Sequence, residues 1–104
     1  MYGSIRRYTF KADLDRKTLD DLGRIERTFV PHIQEISGFH SYYLLKVSEK
    51  EIVGFGIFDD KKGSDESGRR AVEFVKSDSI RDKINSPEII EGDLRIARET
   101  PVTA

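Results

Sequence analysis

Residues 39–58 read FHSYYLLKVSEKEIVGFGIF, and the fold turns on that stretch. Aromatic and aliphatic residues crowd both ends of it, FHSYYLLKV over 39–47 and IVGFGIF over 52–58, with a charged turn between them. So short a connection makes the two segments antiparallel neighbours in one sheet. A sheet with one wet face alternates apolar and polar side chains. These strands do not alternate in that way. In the second, Ile52, Val53, Phe55, Ile57 and Phe58 send large apolar groups to both faces; in the first, Phe39, Tyr43 and Leu45 take one parity and Tyr42 and Leu44 the other. Helices of the same chain can cover one face. A wet second face would be a sizeable apolar patch, which monomers rarely keep. Burying each such side chain is worth ~1.5–3 kcal/mol. The expected solution is a homodimer packed sheet to sheet around a two-fold axis.

Working outward, residues 2–10 hold Ile5, Tyr8, Thr9 and Phe10 and read as a first strand, with Arg6 and Arg7 in its middle. Residues 11–16 are a polar connection in which Asp13 and Asp15, with Thr18 beyond, are candidate helix caps. Leu19, Leu22, Ile25, Phe29 and Ile33 then recur at steps of three and four, the spacing of an amphipathic helix. Pro31 removes a backbone donor and clashes one turn back, so this helix should stop or kink near 29–30, with a short extra turn up to Ser37-Gly38. Residues 59–65 read as a loop with a turn glycine at Gly63. Ser64 or Asp65 is expected to cap a second helix whose apolar positions are Ala71, Phe74, Val75, Ile80 and Ile84. After Ser86-Pro87, residues 91–98 (EGDLRIAR) alternate Leu94 and Ile96 with charged residues as a fourth strand. The order βαββαβ predicts an α+β, ferredoxin-like split-βαβ sandwich, with a four-stranded antiparallel sheet and its helices on one face. The domain is expected over residues 1–98, with a frayed tail over 99–104.

The chain has 104 residues, 37% apolar and 36% charged, which suits one globular domain. A net charge of −1 removes the global electrostatic argument for nucleic-acid binding, and the absence of Cys excludes disulfides, thiolate metal sites and cysteine nucleophiles. No apolar run approaches a membrane span, and the N-terminal MYGSIRRYTF lacks the apolar segment of a secretory signal, so neither membrane nor export is expected and the default compartment is the cytoplasm.

A family likeness accumulates along the chain. IRRY (Ile5–Tyr8) precedes a helix ending in FVP (Phe29–Pro31); then come ISGFHSYYLL (Ile36–Leu45), GFGIFDD (Gly54–Asp60), Glu66-Ser67 ahead of Ala71, and EGDLRI (Glu91–Ile96). In order and spacing these resemble small bacterial members of the dimeric α+β barrel superfamily, the antibiotic-biosynthesis-monooxygenase-like proteins, in their uncharacterised branch. The resemblance implies a ferredoxin-like fold, homodimerisation through the sheets and a pocket between each sheet and its helices. It also implies a small enzyme acting without a cofactor or metal, by oxidation or isomerisation of a small aromatic or apolar molecule. The alternative is a non-catalytic ligand-binding or stress-associated dimer. Haem-degrading and anthrone-oxygenating members use Trp and Asn near the pocket. This chain has no Trp and its sole Asn is Asn85, so what carries over is the generic feature, a Tyr- and His-lined pocket for an aromatic ligand.

His40 and Tyr42, two apart on one strand, are the candidate catalytic pair. The imidazole titrates near neutral pH and can take a proton from a phenolic or enolisable substrate, while the phenol can hold an oxyanion. Arg7, His32 and Phe55 are the candidate ligand-binding residues. Arg7 and Tyr8 fall on opposite faces of the first strand, and an inward arginine wants a carboxylate or an anionic ligand. His32 follows the Pro31 kink, and Phe55 stands between Gly54 and Gly56, which leave room on one face. The two histidines lack metal-ligand spacing, so no metal site is expected. The acidic cluster of Asp59, Asp60, Asp65 and Glu66 reads as complement to a helix N-terminus.

Overall fold

The computed structural model describes residues 1–13 and 16–99, the side chains at 16–19, 21 and 79 excepted. Its elements run β1 (Tyr2–Thr9), α1 (Arg16–Thr28), α2 (Val30–Gln34), β2 (Phe39–Ser48), β3 (Glu51–Phe58), α3 (Lys61–Ser77), a 3-10 turn (Ser79–Lys83) and β4 (Glu88–Asp93). The strands form one antiparallel sheet in the order β2-β3-β1-β4. This is the ferredoxin-like α+β arrangement expected from the element order. The candidate caps Asp15 and Thr18, the side chain of Leu19 and the tail beyond residue 99 lie outside the described residues.

Register decides which side chains meet the helices. Tyr8 pairs with Ile52, Arg6 with Gly54 and Ser4 with Gly56, while Tyr42 and Leu44 stand opposite Gly56 and Gly54. These residues share the helix-covered face. The intervening positions, Ile5, Arg7, Tyr43, Leu45, Val53, Phe55, Ile57 and Ile90, share the opposite, helix-free face. β3 shows the division directly: Ile52, Gly54, Gly56 and Phe58 are buried, and the residues between them are half-buried. On the helix-free face Tyr43, Leu45 and Ile90 are each more than half exposed, at 58%, 60% and 57%.

The first helix ends at Thr28 and a five-residue helix restarts at Val30 with Pro31 in its first turn, where the lost donor costs nothing. The break turns Phe29 and Ile33 into the core with Ile36, Phe58 and Ala71; Ile33 and Phe58 are fully buried. Gly38 follows with a φ of +85°, the left-handed conformation glycine adopts without penalty. A second cluster, Phe10, Ile52, Ile80 and Ile84, closes the other end of the sandwich.

Three sequence expectations are corrected. α3 starts at Lys61 rather than after a Ser64 or Asp65 cap, because extended Asp60 accepts a hydrogen bond from the Gly63 amide at 3.1 Å; Gly63 is therefore helical, not a turn glycine. Ile80 and Ile84 lie beyond that helix. Asp78 ends α3 in extended conformation and caps the 3-10 turn through Ile80, and Ile84 bridges to Phe10. β4 occupies 88–93 rather than 91–98. Ile89 and Ile90 pair with Arg6 and Ile5, and the strand stops opposite Tyr2, where its partner β1 begins. Ile96, expected in that strand, lies beyond it and is 81% exposed.

Candidate functional site

Between the sheet and the helices lies a cavity of about 380 Å³. Its walls are mainly apolar: Leu22 and Ile25 from α1, Phe29 at the helix break, Phe74 and Val75 from α3, and Ile80 and Ile84 beyond it. The sheet supplies the floor through Tyr8, Tyr42, Leu44 and Ile52. Glu26 adds a carboxylate to the lining from α1.

A small polar nook of about 20 Å³ adjoins it, enclosed by Ser4, Arg6, Tyr8, Tyr42, Gly54, Gly56 and Ser67 among others, and shares Tyr8, Phe29, Tyr42 and Ala71 with the larger cavity. Each polar group is held by a local feature of the fold. Tyr42 lies across β3 where glycines leave space: a Cβ at Gly54 would stand 2.8 Å from the Tyr42 hydroxyl. The Arg6 guanidinium donates to the Ser67 carbonyl at 3.3 Å and fits against α3 because Gly68 has no side chain, a Cβ there falling 2.6 Å from Nη2. Burial pushes the Tyr42 phenol up to about 12, with Tyr8 beside it reinforcing the rise and Arg6 opposing it. Burial likewise raises Tyr8, again opposed by Arg6. Both phenols therefore stay protonated at neutral pH, each with an O–H that is able to donate.

Of the residues singled out from sequence, Tyr42 is in this site. His40 is not: β2 carries a bulge between Phe39 and Ser41, which breaks the parity expected to align His40 with Tyr42. The bulge instead puts Phe39 with the core, edge-on to Phe58 at 6.0 Å, and leaves His40 exposed and hydrogen-bonded to Asp59. Arg7 is on the helix-free face, paired with Glu51 and Glu88, and those carboxylates hold its pKa raised. Phe55 is on the same face. His32 is exposed on α2, and its carbonyl accepts from Arg70 at 2.6 Å. The acidic loop is spent on local partners: Asp60 on the helix cap, Asp65 on Lys61, Glu66 on Arg69 and Arg70. Among the described residues no group of three or more His, Asp or Glu is placed to hold a metal ion.

Ser4, Arg6 and Tyr8 were not singled out from sequence. Strand parity was the available signal: Tyr8 and Phe10 share a parity with Arg6, and two aromatic residues on one face mark it as the buried one.

No family model matches the chain, and no curated protein is similar to it in sequence. Solved structures are similar in fold. A dimeric ferredoxin-like protein from an uncultured marine organism superposes with a TM-score of 0.73 at 10% identity, covering 95% of this chain and 98% of that one. The chain has the ferredoxin-like fold of these proteins. Structures of similar fold also include a monooxygenase from the ActVA-Orf6 gene of Streptomyces coelicolor in complex with nanaomycin D (TM-score 0.70, 14% identity, 96% and 92% of the two chains). SnoaB, a cofactor-independent oxygenase from Streptomyces nogalater, is similar at a TM-score of 0.67 and 11% identity, covering 92% and 94%.

Proposed function

We infer that this chain is a cytoplasmic, homodimeric, monooxygenase-like enzyme that oxidises or isomerises a small aromatic or apolar molecule in the cavity under its helices, with no cofactor of its own. The observation that carries the reading is the cavity itself: about 380 Å³ of mainly apolar space whose floor presents two protonated tyrosines beside a cation. Such a floor steadies negative charge on an oxygen of the substrate as a proton leaves it. In the oxygenase form of the reaction a methylene carbon loses both hydrogens and gains one oxygen atom of O2. The other atom leaves as water, so O2 is both oxidant and oxygen donor and no external reductant is required. Support for the dimer comes from the exposed Tyr43, Leu45 and Ile90 on the helix-free face and from the dimeric neighbours of the same fold. One observation favours a dimer that merely holds such a molecule: the His40 imidazole stands outside the cavity.

Native mass spectrometry of freshly purified protein, followed by oxygen uptake with anthrone as probe, tests both parts. The expected result is a dimer, with turnover reduced by Tyr42→Phe and unaffected by His40→Ala. A bare monomer at micromolar concentration refutes the assembly. Anthrone bound without oxygen uptake or isomerisation refutes the enzyme in favour of the binding protein.

A further inference from the structure

Ser4 is 4% exposed and lines the nook, and its buried hydroxyl has no hydrogen-bond partner. Arg6 beside it donates to a neutral carbonyl and forms no ion pair among the described residues. A guanidinium turned inward without a carboxylate, next to a buried hydroxyl without a partner, is an arrangement that an anionic oxygen completes. Size narrows the choice. About 20 Å³ admits a single oxygen atom or one water, and excludes phosphate and sulfate.

We propose that Ser4, Arg6, Tyr8 and Tyr42 form an oxyanion site for the ionised oxygen of a phenol or enol, whose flat apolar body occupies the adjoining cavity. The inference rests on the reading of that cavity as a ligand site and goes beyond it by fixing the ligand's charge and the atom that is recognised. A carboxylate fits less well, because a space of about 20 Å³ has no room for its second oxygen. The surroundings agree in sign. α3 contributes Ser67 and Ala71 to the nook and β3 contributes Gly54 and Gly56, so Arg6 is the sole formal charge in its lining among the described residues; Glu26 lines the larger cavity. With both phenols protonated, every side chain that reaches the oxygen is a donor.

The test is a spectrophotometric titration of para-nitrophenol against the dimer across neutral pH, with para-nitroanisole as the non-ionisable analogue and para-nitrobenzoate as the carboxylate. The phenolate should bind roughly tenfold more tightly than the phenol, which is a bound pKa about one unit below the free one. Arg6→Met should abolish that preference, bringing the phenolate down to the affinity of the phenol. Should Arg6→Met fail to fold, Tyr42→Phe and Ser4→Ala carry the same comparison, each with a several-fold loss of the preference. Anisole and phenol bound as tightly as phenolate would overturn the oxyanion site and leave the apolar cavity standing. Tighter binding of the benzoate would overturn the single-oxygen geometry. Failure of all three probes to bind would overturn the site together with the cavity reading.

Discussion

Gly68→Ala separates the position of the Arg6 guanidinium from its chemistry. The substitution lies inside α3, where alanine is favoured over glycine by about 1 kcal/mol. Its new Cβ would stand 2.6 Å from Nη2 of Arg6. The guanidinium is the far end of a flexible side chain and gives way, losing its 3.3 Å hydrogen bond to the Ser67 carbonyl. Such a bond contributes roughly 0.5–1.5 kcal/mol net. Gain and loss therefore nearly cancel. At about 4–8 °C per kcal/mol for a domain of this size, the melting temperature should move by a few degrees at most. Ligand recognition should not be spared, because the cation has left the nook: preference for phenolate over phenol should fall as it does in Arg6→Met. Thermal unfolding and the nitrophenol titration on the same sample read both quantities. A stabilisation of about 1 kcal/mol with the phenolate preference intact would refute the argument, since it would mean the guanidinium neither packs on Gly68 nor needs to.

Other outcomes follow from single features. Tyr42 titrates near 12 in the folded chain against an ordinary 10. The unfolded state thus ionises first, and stability held below pH 10 should fall by about 1.4 kcal/mol per unit until the folded phenol ionises. Tyrosinate absorbance with parallel unfolding curves checks this, and Tyr42→Phe should flatten that part of the profile. Ile33→Ala empties a fully buried site below the helix break and should cost about 2–5 kcal/mol in denaturant unfolding. Asp60→Ala removes the side-chain acceptor for the Gly63 amide and should cost about 1 kcal/mol, with faster amide exchange in the first turn of α3. Leu45→Lys on the helix-free face should shift sedimentation toward monomer and leave helical content unchanged; a persistent dimer would move the interface off that face.

The architecture was legible because it rests on periodicity. Leu22, Ile25, Phe29 and Ile33 announce the helix and Pro31 its break, while the double-sided apolar strand at 52–58 announces a sheet needing cover on both faces. The site was less legible because it depends on parity, and one inserted residue resets parity. The bulge beside His40 cannot be read from FHSYY: the same letters describe a regular strand with His40 over the cavity and a bulged one with Phe39 there instead. Arg6 and Arg7 posed the same problem, since adjacent identical residues carry opposite fates and their neighbours alone distinguish them. The start of α3 was displaced for another reason. Asp60 wins over Ser64 and Asp65 as the cap because the chain leaving β3 is already extended at that point, a tertiary fact.

The interior position of β1 couples the first and last strands of the sheet. It is flanked by β3 and by β4, so its pairing with Ile89 and Ile90 joins the first strand of the sheet to the last. Until β4 docks, one side of β1 is an open edge of unpaired amides and carbonyls. The sheet therefore closes through its most distant contact, and closure of so long a loop slows folding. During synthesis β1, β2 and β3 leave the ribosome before β4, so the row of donors and acceptors meant for β4 is made before its partner.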